Sequence, residues 1–273
     1  MLRLIDCTFI CFDFETTGIS AQVDRIVDIG AVIFNIDTDR QEVFSEIVNP
    51  QQPISASASA VHGLFAEDVC DAPLITDTLP AFLDFIPRDG VLVAHNAGFD
   101  RSFLASACAF NSMEPPCNEV ICTLPICRRA WPDLKNYRLE TVGRYLNLID
   151  VEEHRGLADS LLLAQVFRRA IDRLSINTKE ELFTITTPHS VAEVGMKPAS
   201  VPDGFELFSS AIDNGSDMVI QYGDDSRAFR RITPERVITN GSRVYLLAVC
   251  HRDRIRKQFR FDRIHKFHCV AER

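Results

Sequence analysis

Phe12-Asp13-Phe14-Glu15-Thr16-Thr17-Gly18 closes an apolar run that begins at Thr8, and its alternation decides how the first half of the chain folds. In an extended strand successive side chains point to opposite faces, so Phe12 and Phe14 share one face while Asp13 and Glu15 share the other. The two rings suit burial. The two carboxylates repel each other and one pKa rises unless a cation sits between them, a conflict that a hard divalent metal resolves. An isolated Asp-x-Glu also fits a solvated strand face, so the pair has to be read with its neighbours. The turn at Thr16-Thr17-Gly18 brings backbone amides within reach of a phosphate or sugar.

Working outward, Arg25–Phe34 and Glu42–Val48 form two further strand-like runs, separated by the turn-prone stretch Asn35–Arg40. A helix over Thr76–Ile86, the apolar run Val91–Ala94 and a helix over Phe99–Phe110 then alternate, which predicts a mixed sheet flanked by helices. Leu139, Val142 and Leu146 recur at helical spacing, and Leu157–Ile171 is apolar over almost every turn, so two helices close this piece. From Ser175 to Gly204 the chain loses sustained periodicity and carries Pro188, Gly195, Pro198 and Pro202, which reads as a linker. Beyond it, Met218–Tyr222, Ala228–Ile232, Arg243–Val249 and Gln258–Ile264 are short β-rich runs. Asn214-Gly215, Gly223-Asp224 and Asn240-Gly241 separate them as hairpin signals. The expected organisation is an α/β domain over 1–175, a linker over 176–204 and a small barrel or sandwich over 205–273.

Composition sets the outer limits. The 273 residues are 46% hydrophobic and 25% charged, which excludes disordered, collagenous and membrane-embedded classes. A formal net charge of −9 repels polyanions, so a nucleic-acid partner requires local cations or bound metal to reverse the sign. The charge is uneven: 201–273 carries +3 and 1–200 carries −12. Met1–Phe12 is interrupted by Asp6 and followed by Asp13 and Glu15, so neither a signal peptide nor a membrane span fits, and a cytoplasmic protein is expected. Nine cysteines without a Cys-x-x-Cys pair read mostly as buried apolar residues in a reducing compartment.

Two more acidic elements accompany Asp13 and Glu15. In Val93-Ala94-His95-Asn96-Ala97-Gly98-Phe99-Asp100 a buried strand runs into a helix whose first turn carries Asp100, a place where the helix dipole alone already favours a carboxylate. In His154-Arg155-Gly156-Leu157-Ala158-Asp159-Ser160 a loop histidine precedes an aspartate in the first turn of an otherwise apolar helix.

In this order and context, Asp13-x-Glu15, Asp100 and His154-x4-Asp159 resemble the three Exo motifs of the DEDDh 3′→5′ exonucleases, in particular the proofreading epsilon subunits of bacterial DNA polymerase III. The resemblance covers about residues 7–173 and extends to Val61-His62-Gly63, which is similar to the family's nucleotide-pocket segment. It implies an RNase H-like mixed five-stranded sheet. It also implies two divalent metal ions, Mg2+ or Mn2+, on Asp13, Glu15, Asp100 and Asp159, with His154 as general base. The terminal nucleotide would meet Thr16, Thr17, Gly18, Val61, His62, Asn96 and Phe99, although Val61 and Phe99 suit a core as well as a pocket.

The C-terminal piece resembles a WYL domain, a small SH3-like β-barrel implicated in sensing nucleic-acid or nucleotide ligands. The likeness rests on Val219-Ile220-Gln221-Tyr222, Arg230-Arg231-Ile232-Thr233-Pro234, Val244-Tyr245-Leu246 and Phe259-Arg260-Phe261-Asp262-Arg263-Ile264. Val244 stands where that family's naming tryptophan would be. Seven basic residues between Arg252 and Lys266 interleave with Phe259, Phe261 and Ile264. The likeness makes Tyr222, Arg230, Tyr245, Arg260 and Arg263 the candidate ligand or nucleic-acid contacts, against the alternative that Asp262-Arg263 is an internal ion pair.

The expected function is a metal-dependent 3′→5′ exonuclease acting on single-stranded DNA ends and releasing nucleoside monophosphates. Two readings stand beside it: an exoribonuclease of the same branch, and a regulatory nucleic-acid-binding protein working through its C-terminal barrel. Nucleic acid is the expected partner, with a polymerase or sliding clamp as a further one and no membrane. Glu180-Glu181-Leu182-Phe183 faintly resembles the short Leu-Phe peptides that bind clamps.

Overall fold

The alternation around Asp13 is realised in β1 (Phe9–Thr16), whose Phe12 and Phe14 are buried and edge-packed against each other and Phe82, while Asp13 and Glu15 stay half-buried on the opposite side. In this computed structural model, which describes residues 2–38, 40–151, 153–223, 229–252 and 254–270, β1 is the middle of a five-stranded mixed sheet ordered β3-β2-β1-β4-β5. β2 (Ile26–Phe34) and β3 (Gln41–Ile47) form an antiparallel meander with β1. β4 (Val91–Ala94) and β5 (Val120–Cys122) add on in parallel.

Between β3 and β4 run α1 (Ala56–His62), α2 (Ala66–Val69) and α3 (Ile75–Phe85). α4 (Gly98–Phe110) follows β4, and α5 (Thr123–Ala130), α6 (Leu139–Tyr145) and α7 (Gly156–Leu174) follow β5. Helices cover both faces of the sheet. Ile10, Phe12 and Phe14 pack with Leu79 and Phe82 of α3 and with Phe103 and Leu104 of α4. Phe9 and Cys11 pack with Ile126 of α5, Val142 of α6 and Leu162, Val166 and Phe167 of α7. Since Asp13 and Glu15 continue the Phe9-Cys11 face, they point to the side on which α7 lies.

The stretch expected to be a linker is structured. α8 (Lys179–Ile185) starts at a capping box between Thr178 and Glu181 and buries Leu182 completely. Thr186 hydrogen-bonds the backbone of Cys122, and His189 exchanges backbone hydrogen bonds with Val120, so 176–189 borders the nuclease-side sheet. β6 (Met196–Pro198) pairs with β8 (Phe229–Asn240) of the C-terminal piece. Glycine and proline mark the short joints between these elements rather than a flexible tether. The resemblance of Leu182-Phe183 to a clamp-binding peptide is thereby corrected, because Leu182 is in the core and the Phe183 ring packs beneath Lys179.

After α9 (Leu207–Asn214) come β7 (Met218–Tyr222), β8, β9 (Arg243–Cys250), β10 (Ile255–Arg260) and β11 (Ile264–Cys269). The sheet they form with β6 is antiparallel, ordered β10-β9-β8-β7-β11. Among the described residues no pairing joins β10 to β11, and β7 to β11 wrap one shared core cluster with Phe208 and Ala211 of α9. The single run Gln258–Ile264 is broken by a 3-10 turn at Phe261–Arg263. Ala228 and Asp224, which belong to an expected strand and turn, lie outside the described residues. Met196, Ile238 and Leu247 join the core cluster of α3 and α4, so the two pieces share packing.

Five of the nine cysteines are buried and three are exposed. Among the described residues no helix is long and apolar enough to cross a membrane.

Candidate active site

β1 and β4 run in parallel, so their C-terminal ends lie side by side and deliver the acidic segments to one edge of the sheet. Asp13 and Glu15 leave the end of β1. Asp100 sits in the first turn of α4 and is 2% exposed, and its Oδ1 accepts a hydrogen bond from the Phe14 amide at 3.2 Å. Burial pushes its carboxyl up to about 7 against the opposing pull of the Phe14 and Asp100 amides. A carboxyl this deep requires either a proton or a cation.

The third contribution comes from α7. Gly156, at its start, lies against Gly30 of β2, the residue paired with Asp13. A Cβ on Gly30 would stand 1.8 Å from the Gly156 carbonyl carbon, and one on Gly156 would stand 2.5 Å from the Gly30 nitrogen. Neither position admits a side chain without moving backbone, and the Ser160 hydroxyl donates to the Gly30 carbonyl at 3.0 Å to seal the contact. This approach carries Asp159, in the first helical turn, to the face of Asp13 and Glu15. His154 precedes the helix in a left-handed conformation with φ 51°. Ligand atoms of Glu15, His154 and Asp159 all fall within 4.8 Å of one another.

Asp28 of β2 and Arg155 anchor the His154 loop. Asp28 is 1% exposed, and its Oδ2 accepts from Arg155 Nε at 2.7 Å and from the Gly156 amide at 3.2 Å. Sequence reasoning passed over both. The available signal was Asp28 itself, the one charged residue in the strand Ile26–Phe34.

An open cleft of about 600 Å³ gathers Asp13, Glu15, Asp100, His154 and Asp159, with Val61, Asn96 and Phe99 also on its walls. Val61 is 55% exposed, and Phe99 is half-buried with its ring 4.8 Å from that of Phe103. Thr16, Thr17, Gly18 and His62 do not line the cleft. Thr16, Thr17 and His62 are buried. Thr16 donates to the Gly18 carbonyl at 2.6 Å, and the Thr17 hydroxyl accepts from the Arg25 amide at 3.0 Å. His62 Nδ1 accepts from the Leu64 amide at 3.1 Å, so Nε2 carries the hydrogen donated to the Thr16 carbonyl at 3.2 Å. Burial lowers the His62 pKa and keeps the ring neutral, a strut beneath the end of β1. Exposed Arg138, at the N-cap of α6, lines the cleft and was not singled out from the sequence.

In the C-terminal sheet Tyr222, Tyr245, Arg260 and Arg263 come together. Tyr245 is paired with Arg260, the Tyr222 hydroxyl accepts from the Arg260 amide at 3.2 Å, and the Arg263 guanidinium lies 5.5 Å from the centre of the Tyr222 ring. Asp262 pairs with Arg260 at 2.5 Å. Arg230 lies on β8 opposite Ile220 of β7.

Four carboxylates and an imidazole around one cleft form a hard, oxygen-rich donor set, and the buried Asp100 carboxyl adds to it, so these residues fit a divalent metal ion. The RNase_T family model, described as an exonuclease, matches residues 10–167, and the WYL domain model matches residues 203–269. The chain is 39% identical over 166 residues to DNA polymerase III PolC-type from Caldanaerobacter subterraneus subsp. tengcongensis, a match covering 61% of this chain and 12% of that protein. With DNA polymerase III PolC-type from Bacillus subtilis it shares 35% over 154 residues, covering 56% and 11%. The matches thus span about an eighth or less of these relatives' length. Exonuclease X in complex with 5′ overhanging duplex DNA superimposes with TM-score 0.50 at 27% identity, covering 66% of this chain and 98% of its own. The nuclease domain of 3′hExo, a DEDDh family member bound to rAMP, shares the fold with TM-score 0.50 at 20% identity, covering 60% and 92%.

Proposed function

This chain belongs to the exonuclease family, as an enzyme of the DEDDh 3′→5′ type, and on that premise we propose that it removes nucleoside monophosphates from the 3′ ends of single-stranded DNA. The observation that carries the reading is the meeting of β1, α4 and α7 at one cleft, with Glu15, His154 and Asp159 within 4.8 Å of one another and Asp13 and Asp100 beside them.

In this reading Asp13, Glu15, Asp100 and Asp159 hold two divalent ions, which when bound neutralise charge on the attacking and leaving oxygens of the phosphodiester. The remaining work falls to the chain. His154 takes a proton from the attacking water, a contribution of about 10²- to 10⁴-fold for a positioned base. Val61 and Phe99 pack against the last base and sugar, Asn96 reaches the nucleotide from the wall, and Arg138 offers a cation to the phosphates at the rim. Thr16, Thr17 and Gly18 shape the turn behind the metal carboxylates, with His62 holding the Thr16 carbonyl. Tyr222, Arg230, Tyr245, Arg260 and Arg263 supply a second, basic and aromatic nucleic-acid surface on the C-terminal sheet. The likeness to DNA polymerases supports action beside a polymerase and a cytoplasmic location.

The test is degradation of a 3′-labelled single strand in magnesium. Asp13→Ala and His154→Ala are each expected to lose about 10²-fold or more, and EDTA to abolish turnover until Mg2+ or Mn2+ is restored. Unchanged turnover in both variants overturns the assignment, and parallel RNA substrates decide between the sugars.

A further inference from the structure

A second cavity, of about 450 Å³, lies between the two domains and shares no lining residue with the acidic cleft. Arg25 and Phe110 face it from the nuclease domain, and Ile212, Arg236 and Arg256 from the C-terminal one. Its size falls within the range of small-molecule pockets. Its charge is the notable feature. The Arg25 guanidinium lies 4.2 Å from the Phe110 ring centre and that of Arg236 lies 5.1 Å from it. Arg236 also donates to the Phe110 carbonyl, and Arg25 donates to the Val23 and Asp24 carbonyls.

Two carboxylates line the cavity, and both already accept hydrogen bonds from groups other than Arg25 and Arg236. Glu235 accepts from Arg256 Nε with both oxygens, at 3.0 and 2.9 Å. Asp24 accepts from the Ser20 amide at 2.8 Å and the Thr17 hydroxyl at 3.3 Å. Among the described residues, neither Arg25 nor Arg236 has a carboxylate within ion-pair distance. Burial first, then the nearby charges of Arg256 and Arg236, lower the Arg25 pKa to about 10 against the smaller opposing pull of Glu235 and Asp24, which still leaves it protonated at neutral pH. Guanidiniums brought this close together without carboxylate partners call for an anion.

We propose that this interdomain cavity binds a small phosphate monoester of mononucleotide size, its phosphate held by Arg25 and Arg236 and its organic body lying against Phe110 and Ile212. A phosphate monoester is preferred to a carboxylate because two guanidiniums without an ion-pair partner offer more donors than one carboxylate uses, and the guanidinium fork fits the phosphate oxygens in pairs. The site is separate from the Tyr222–Arg260 surface and does not depend on the reading of the cleft.

The test is calorimetric titration of the full chain in EDTA, so that no metal-assisted binding occurs in the cleft, with dAMP, inorganic phosphate and deoxyadenosine as separate probes. Saturable binding of dAMP, tighter than phosphate and absent for deoxyadenosine, is expected. Arg236→Gln should weaken it by about tenfold or more, while Asp13→Asn, in the cleft, should retain it. Ile212→Trp fills the cavity without removing a cation and should also abolish binding, which decides the matter if Arg236→Gln does not fold. No saturable dAMP binding, equal binding of deoxyadenosine, binding of phosphate alone, or loss in Asp13→Asn with retention in a folded Arg236→Gln or Ile212→Trp overturns the proposal.

Discussion

Asp28 shows how one buried charge can govern a site it never enters. It sits in the middle of an apolar strand, and Arg155 and the Gly156 amide converge on its Oδ2, holding the backbone that presents His154. Removing one partner of a buried ion pair costs more than the pair contributes, because the other charge stays behind without compensation. Arg155→Ala is therefore expected to lower stability by about 3 kcal/mol in urea denaturation, the lower end of the range because Arg155 is 38% exposed. A loss under about 0.5 kcal/mol would show that water replaces the guanidinium. Both residues stand in the sequence in plain view. Their pairing across 127 positions does not, since no local periodicity connects them.

At the scale of elements, the meeting of β2 and α7 places Asp159. Two glycines allow backbone to touch backbone, and this contact sets how close the helix lies to the strand. Gly30→Ala is expected to push α7 outward, costing about 1–3 kcal/mol of stability. Turnover should fall by about 10²-fold, since displacing a catalytic group by 1 Å has that effect. Gly98→Ala, whose Cβ would meet nothing within 4 Å, is the control and should leave the melting temperature unchanged or slightly raised. Equal melting temperatures for Gly30→Ala and wild type would refute the close contact. The helix over 156–174 and the strand over 26–34 are legible from periodicity, but the glycines read as neutral residues because their use lies in a contact between distant segments.

At the scale of the whole molecule, the segment 176–189 packs against the nuclease sheet and its helices. α8 buries Leu182, and His189 pairs with β5. A fragment of residues 1–175 would expose the surface under Leu182, where burying one leucine contributes about 1.5–3 kcal/mol, and would lose the bridge at the sheet edge. It should melt at a lower temperature and less cooperatively than a fragment of residues 1–190, as measured by circular dichroism. Indistinguishable melts would restore 176–189 to the status of a tether. The C-terminal sheet contributes more than a neighbour: Met196, Ile238 and Leu247 extend the core beneath α4, and Arg256 donates to the Gln51 carbonyl and the Gln52 side chain at 3.1 and 3.0 Å.

Reading the chain residue by residue determined the alternation of β1, the positions of most principal helices, the change of character after residue 200, and the four carboxylates and the histidine that gather in the acidic cleft. These follow from period, composition and motif, which are local properties of a chain. Tertiary structure decided that α8 and β6 form within 176–204, that β6 joins the C-terminal sheet, that His62 props the backbone of Thr16, and that Arg25, Arg236 and Arg256 meet at one cavity. Each of these depends on contacts between segments far apart in sequence, and the charge or apolar surface that one segment presents acquires its meaning only from what the other brings against it.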